Sequence, residues 1–178
     1  MSFVLTEEEQ MLRDSAKDFL AAKSPVSELR RLRDEGCKDG FRHAVWRGMA
    51  EMGWNGIVVE EDFGGVDMGF TAAGVLLREM GRTLAATPFI PSAILSATLL
   101  RLAGSDAQKG EHLPKIAGGE AVYAFAFDEK ARHDPGTIDT RATKEVGALR
   151  EQASQHGQQQ FRPGLAGVNQ ADESHRGA

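Results

Sequence analysis

The segment FRHAVWRGMAEMGWNGIVVEEDFGGVDMGF, from Phe41 to Phe70, constrains the fold more than any other part of the chain. Phe41, Val45, Met49 and Met52 recur at the spacing of one helix face. Gly53 follows at once and suits the left-handed residue that ends a helix. Ile57, Val58 and Val59 form a dry, β-branched run too short for a helix. Glu60, Glu61 and Asp62 then meet Phe63-Gly64-Gly65, with Gly69 four residues on. Glycine takes dihedral angles that a side chain forbids, so such a loop can bring backbone close to another surface. The spacing is not Gly-x-Gly-x-x-Gly, and no Gly-Lys-Ser/Thr occurs in the chain. A tight turn docking against a neighbouring domain is expected, not a phosphate cradle.

The flanking sequence is mostly helical in pattern. Thr6 and Glu9 have capping-box spacing, and Glu7 to Glu9 place acid at the positive end of a helix. Met11, Leu12, Ala16, Phe19 and Leu20 mark its buried stripe. Pro25 ends that helix or opens the next, over Val26 to Arg33, which Gly36 closes. After the glycine loop, Thr71 is the expected cap of a helix to about Met80, with Val75, Leu76 and Met80 inward. Gly81 ends that helix or lets another approach. Thr87-Pro88-Phe89-Ile90-Pro91 reads as an extended link. Ile94, Leu95, Leu99, Leu100 and Leu102 then make a helix apolar on most sides, expected to be central. Ser105 and Gln108 repeat the capping-box spacing, and Pro114 bends or stops the helix they open. Ala121 to Phe127 is the best strand pattern in the chain. A lone strand is not stable, so a sheet is expected to begin there.

Composition excludes several functions. The net charge of −5 argues against nucleic acid as a partner, because phosphate contacts need clustered Lys and Arg. Arg30, Arg31 and Arg33 are flanked by Glu28, Asp34 and Glu35 and read as a solvated helix face. Cys37, the only cysteine, permits no internal disulfide and reads as a spectator thiol. The five histidines share no helical pairing, and Glu60 to Asp62 read as solvated, so no metal site is expected. The N-terminus lacks a secretory pattern, and Ala93 to Leu100 is far short of a bilayer span. A soluble cytoplasmic protein without membrane contact is expected.

The opening LTEEEQMLRDSAKDFL, the loop EEDFGGVDMGF, the helix LLREMGR and the segment SDAQKGEHLPKIAGGE occur in an order that resembles the acyl-CoA dehydrogenase family. The resemblance runs from about Leu5 to about Thr143. It implies a mainly α fold: an N-terminal helical domain over residues 1–120, then the start of a middle β-domain over 121–143. It further implies FAD as cofactor, an acyl-CoA thioester as substrate oxidised across its α and β carbons, and a homo- or hetero-oligomer. Glu79 falls in the helix that borders the family's acyl pocket. Tyr123, Phe125 and Ala126 fall where the family contacts flavin. Typical members continue there into Thr-Glu-Pro-Gly-Ala-Gly-Ser-Asp, whereas here the hydroxyl position holds Ala126 and the Pro-Gly turn is missing.

Residues 144–178 break the pattern. They contain Gln158-Gln159-Gln160 in a run rich in Gln, Ser, Gly and His, and residues 146–178 show neither helical nor strand periodicity. Such composition does not bury enough surface to offset the entropy of ordering, so a disordered tail is expected. A shifted reading frame or truncated gene near Glu145 would explain the change. The family's catalytic base lies in a C-terminal bundle beyond this point, so no catalytic residue is assigned. The chain is expected to be inactive alone. The alternative is a non-catalytic helical subunit or interaction module.

Overall fold

The computed structural model of the chain describes residues 4–125, 141–145 and 148–152. Its Cα positions fall into two compact units, residues 1–125 and 126–178. The first is helical, in the order α1 (Glu7–Lys23), α2 (Val26–Asp34), α3 (His43–Glu51), α4 (Gly69–Thr83), a π-helical stretch Phe89–Ser96, α5 (Ala97–Ala103) and α6 (Asp106–Ala117). Two single 3-10 turns, Trp54–Gly56 and Glu61–Phe63, fill the space between α3 and α4. The mainly α fold read from the sequence is the fold observed. Among the described residues, no helix is long and apolar enough to cross a membrane.

Local signals set most helix ends. Thr6 Oγ1 accepts from Glu9 N at 3.1 Å, and Glu9 returns the bond to Thr6 N at 2.9 Å. Ser105 and Gln108 form the same reciprocal cap on α6. Pro25 is the extended cap of α2, and Gly53 ends α3 at φ +75°. α1 packs against α4, and the 3-10 turn at Trp54 packs against α3 and α6. Leu20, Trp46, Met49, Trp54, Leu76 and Leu113 form the centre of the core, all buried. Burial of each such side chain contributes roughly 1.5–3 kcal/mol.

The glycine loop is the hub. Val66 N–H donates to Gly56 O at 3.0 Å, Asp67 N–H to Val59 O at 3.0 Å, and Gly69 N–H to Ile57 O at 3.2 Å. These bonds fold the loop back over Ile57-Val58-Val59, all buried. The close approach expected of the loop is therefore made within its own domain, between Gly65 and the backbone of Val59. Arg101 of α5 ties the loop from the other side, with Nε donating to Glu60 Oε1 at 2.8 Å and Nη2 4.0 Å from Asp67. Burial pushes the Glu60 carboxyl up, but the hydrogen bond and charge of Arg101 outweigh it and hold it below the ordinary carboxylate value. A depressed carboxyl stabilises the fold above its unfolded pKa, about 4.3, and that contribution fades as pH falls through the folded value. Arg101→Met is expected to lower the thermal midpoint at pH 7, with the gap to wild type closing below about pH 4. A gap that is constant with pH would show that the pair carries none of the difference.

Several expectations fail for identifiable reasons. α3 starts at His43, so Phe41 precedes it, and Met52 is half exposed because the helix has already ended at Glu51. Met11 is exposed, since α1 buries a single face through Ala16 and Leu20. α4 begins at Gly69 with Met68 as its cap, not at Thr71, and runs through Gly81 to end at Leu84 in the left-handed region, φ +51°. The 88–91 link is not extended throughout. Pro91 lies in the first turn of the π-helical stretch, where its missing N–H breaks no helical bond. Pro114 sits inside α6, which continues to Ala117. The helix expected to be central faces the other way: Ser92, Ala93, Ser96 and Ala97 are buried, while Leu95, Leu99 and Leu102 are exposed.

Residues 121–125 are neither helix nor strand, so the strand expected over Ala121 to Phe127 does not form in its described part. Ala121 N–H donates to the Lys115 carbonyl at 3.2 Å and Tyr123 N–H to the Ser92 hydroxyl at 3.1 Å, neither of them a ladder bond. In the second unit, β1 (Arg141–Glu145) and β2 (Ala148–Gln152) pair antiparallel, with Arg141 opposite Gln152 and Glu145 opposite Ala148. Neither strand carries an apolar alternation, the signal that would mark a strand with one buried face. Of the tail expected over 144–178, residues 146–147 and 153–178 lie outside the described residues.

Candidate functional site

Two features share the π-helical stretch. The first is an open, cleft-like cavity of about 320 Å³ on the surface at the C-terminal end of α4. α4 and its end supply Leu77, Met80, Gly81 and Leu84. The connection supplies Ala85 and Thr87, and the π-helical stretch supplies Phe89, Ile90 and Pro91. No charged side chain lines it. The helix end is closed by Leu84 N–H to Gly81 O at 3.3 Å and Ala85 N–H to Met80 O at 3.0 Å. Leu84, in its left-handed conformation, reverses the chain so that both walls come from sequence-adjacent segments. Volumes of about 300–1,000 Å³ with an apolar lining are usual for small-molecule sites.

Glu79, expected beside such a pocket, does not line it. It is buried, and Oε2 lies 3.3 Å from Nε of the exposed Arg82. The pair is intrahelical and neutralises the buried carboxylate.

The second feature is the Tyr123 segment. Tyr123 N–H donates to the fully buried Ser92 Oγ at 3.1 Å, and Tyr123 Oη lies 3.0 Å from His112 Nδ1. The two rings meet edge on, centroids 5.6 Å apart. Burial pushes the Tyr123 phenol up. Phe125 and Val122 are each nearly half exposed. Ala126 lies outside the described residues. Sequence reasoning missed His112 and Ser92. Ser92 left one signal, a hydroxyl inside an apolar run; His112, on a different element from Tyr123, left none.

The remaining candidates are ordinary. Glu61 and Asp62 are exposed, and no group of three potential ligands is close enough for a metal among the described residues. His43 Nε2 lies 2.8 Å from Asp39. His133, His156 and His175 lie outside the described residues. Cys37 Sγ lies 3.7 Å from Phe41 O. Glu28 pairs with Arg31 and Arg42, and Arg42 also with Glu35, so part of the basic cluster is internally neutralised. The hydrogen bond from Arg42 holds the Glu28 carboxyl below its ordinary value.

A family model for the acyl-CoA dehydrogenase N-terminal domain matches residues 6–120, which include the loop, α4 and the whole cavity. The chain belongs to the acyl-CoA dehydrogenase family. It is 30% identical over 145 residues to the probable acyl-CoA dehydrogenase YngJ of Bacillus subtilis (strain 168), covering 80% of this chain. A solved structure of a variant of the Tcur3481-Tcur3483 steroid ACAD superposes with a TM-score of 0.72 at 26% identity, covering 82% of this chain and 39% of that one. The acyl-CoA dehydrogenase from Bacillus anthracis, solved in complex with FAD, shares the fold with a TM-score of 0.66 at 23% identity, covering 78% of this chain and 24% of that one. The chain spans 37% of the length of YngJ. Acyl-CoA dehydrogenases are FAD-binding oxidoreductases, and the fold read from EEDFGGVDMGF and LLREMGR is that of their N-terminal helical domain.

Proposed function

We propose that this chain supplies the N-terminal wall of an FAD-dependent acyl-CoA dehydrogenase site. The observation that carries the reading is the uncharged cavity at the end of α4. An acyl tail laid against Leu77, Met80 and Phe89 leaves water, which stabilises binding by about 0.8 kcal/mol per buried methylene. In the reaction, the α carbon loses a proton to a base and the β carbon loses a hydride, leaving an enoyl-CoA. FAD, when bound, takes the hydride. No base is assigned to this chain.

The Tyr123 segment supports a flavin contact in a limited way. Tyr123 N–H is spent on Ser92 and its hydroxyl on His112. Tyr123 therefore fits the role of an anchor, and the half-exposed Phe125 that of a surface for the flavin. Ala126 follows it in sequence as the third proposed contact. The place of action is the cytoplasm.

A second reading, a non-catalytic helical subunit, is favoured by the exposure of Leu95 at the end of the π-helical stretch and of Leu99 and Leu102 on α5. It would act in a homo- or hetero-oligomer. A visible spectrum of the 178-residue chain after incubation with excess FAD and desalting separates the two. The expected result is retained flavin absorbance that shifts on adding hexanoyl-CoA, without turnover. Colourless protein running as an oligomer would sink the first reading and support the second.

A further inference from the structure

Gly81 has no conformational reason to be glycine. It lies inside α4, away from the positive-φ positions, and a Cβ built on it meets nothing within 4 Å. Glycine is among the poorest helix formers, so the residue weakens α4 with no packing requirement in return. A side chain there would enter open space beside the cavity, which Gly81 lines together with Met80 and Leu84. Gly74, two turns earlier, also meets nothing within 4 Å, but it does not line this cavity.

We propose that Gly81 is a specificity-determining residue, which by lacking a side chain keeps the mouth of the cavity open to an uncharged acyl tail. The proposal rests on the acyl-binding reading of that cavity. Gly81 is exposed, so it stands at the rim, while Met80 and Phe89 are buried and form the floor. A side chain at the rim would reach over the floor and shorten the tail that can enter. Charge selects as well as size. The lining offers hydrocarbon and the Thr87 hydroxyl but no cation. The guanidinium of Arg82, next to Gly81, is held by Glu79 at 3.3 Å. A tail ending in a carboxylate would lose its hydration there with no partner to replace it. A methyl-ended tail of the same length loses nothing.

The test follows the Met80 methyl group by NMR in the 178-residue chain and in Gly81→Ala and Gly81→Leu variants. Three probes are used: hexanoyl-CoA, adipoyl-CoA of equal acyl length, and 1-hexanol, which needs only the cavity. Hexanoyl-CoA and hexanol are expected to shift Met80 in the wild type. Gly81→Leu is expected to weaken both by about tenfold or more, the scale on which a few carbons in an apolar pocket discriminate. Adipoyl-CoA is expected to bind the wild type about tenfold more weakly than hexanoyl-CoA. Gly81→Ala repeats the test at smaller amplitude, and its unfolding midpoint should be no lower than that of the wild type. That midpoint separates a blocked cavity from a damaged helix.

Hexanoyl-CoA binding equally to the wild type and Gly81→Leu would overturn the role of Gly81 while leaving the acyl reading intact. Hexanol sensitivity to Gly81 without any effect of hexanoyl-CoA would keep the rim role and remove the acyl reading. Equal binding of adipoyl-CoA and hexanoyl-CoA would overturn the selection against charge.

Discussion

Gly65→Ala is expected to cost more than about 4 kcal/mol of stability, beyond the range of most single substitutions. An added Cβ would stand 1.9 Å from the carbonyl oxygen of Val59 and 2.3 Å from its carbonyl carbon. Both are backbone atoms, so no flexible side chain can swing aside. The loop would have to lift away, breaking the bonds from Gly65 N–H to Glu60 O, Val66 N–H to Gly56 O and Asp67 N–H to Val59 O. Val58 and Val59, both fully buried, lie beneath it. Gly64→Ala is the control. Gly64 has φ +79° and nothing within 4 Å, so alanine there bears only the left-handed penalty of about 1–2 kcal/mol. Urea midpoints of the two variants should differ widely. Equal midpoints would mean that the close backbone approach is not what holds the loop.

The second large effect is expected at Trp54. Its side chain is 2% exposed and meets Phe19 of α1 edge on, ring centroids 5.2 Å apart and planes at 80°. Trp54→Ala should cost roughly 3–5 kcal/mol, the range for deleting a large buried ring. A small domain has about 5–15 kcal/mol in total, so much of the population would unfold on mild warming. A double-mutant cycle with Phe19→Leu should return a coupling of about 0.5–1.5 kcal/mol for the ring pair. Additive losses would place the effect in hydrophobic burial alone. Denaturation followed by circular dichroism reads both.

Signals that act within one turn of chain could be read in the sequence. Thr6 with Glu9, and Ser105 with Gln108, cap their helices because all the partners lie within three residues. Gly53 ends α3 because the left-handed conformation is a property of one residue. The facing of the 89–103 segment could not be read, because periodicity shows that large apolar residues share a stripe, not that the stripe faces inward. Here the small side chains Ser92, Ala93 and Ala97 allow close packing, Ile94 and Leu100 are partly buried against the core, and Leu95, Leu99 and Leu102 face out. The same limit applies to Ala121 to Phe125, whose β-branched and aromatic content needs a neighbouring strand that the described residues do not provide. The cavity was the least legible feature. It is a space where side chains are missing, and Gly81 was read as a helix end or a packing site because a sequence records residues, not voids. What pointed near it was the family likeness of LLREMGR, which drew attention to Glu79, two residues from Gly81.

The packing of α1 on α4 sets the order of events during synthesis. α1 ends at Lys23 and its partner begins at Gly69. At roughly 5–20 residues per second, several seconds separate their emergence from the ribosome. For that interval Ala16 and Leu20 have no α4 to cover them, and α1 lacks the tertiary packing from which most helical stability comes. The capping box at Thr6 biases α1 toward helix before its partner exists, so the reciprocal bonds of Thr6 and Glu9 act on the nascent chain as well as on the finished fold.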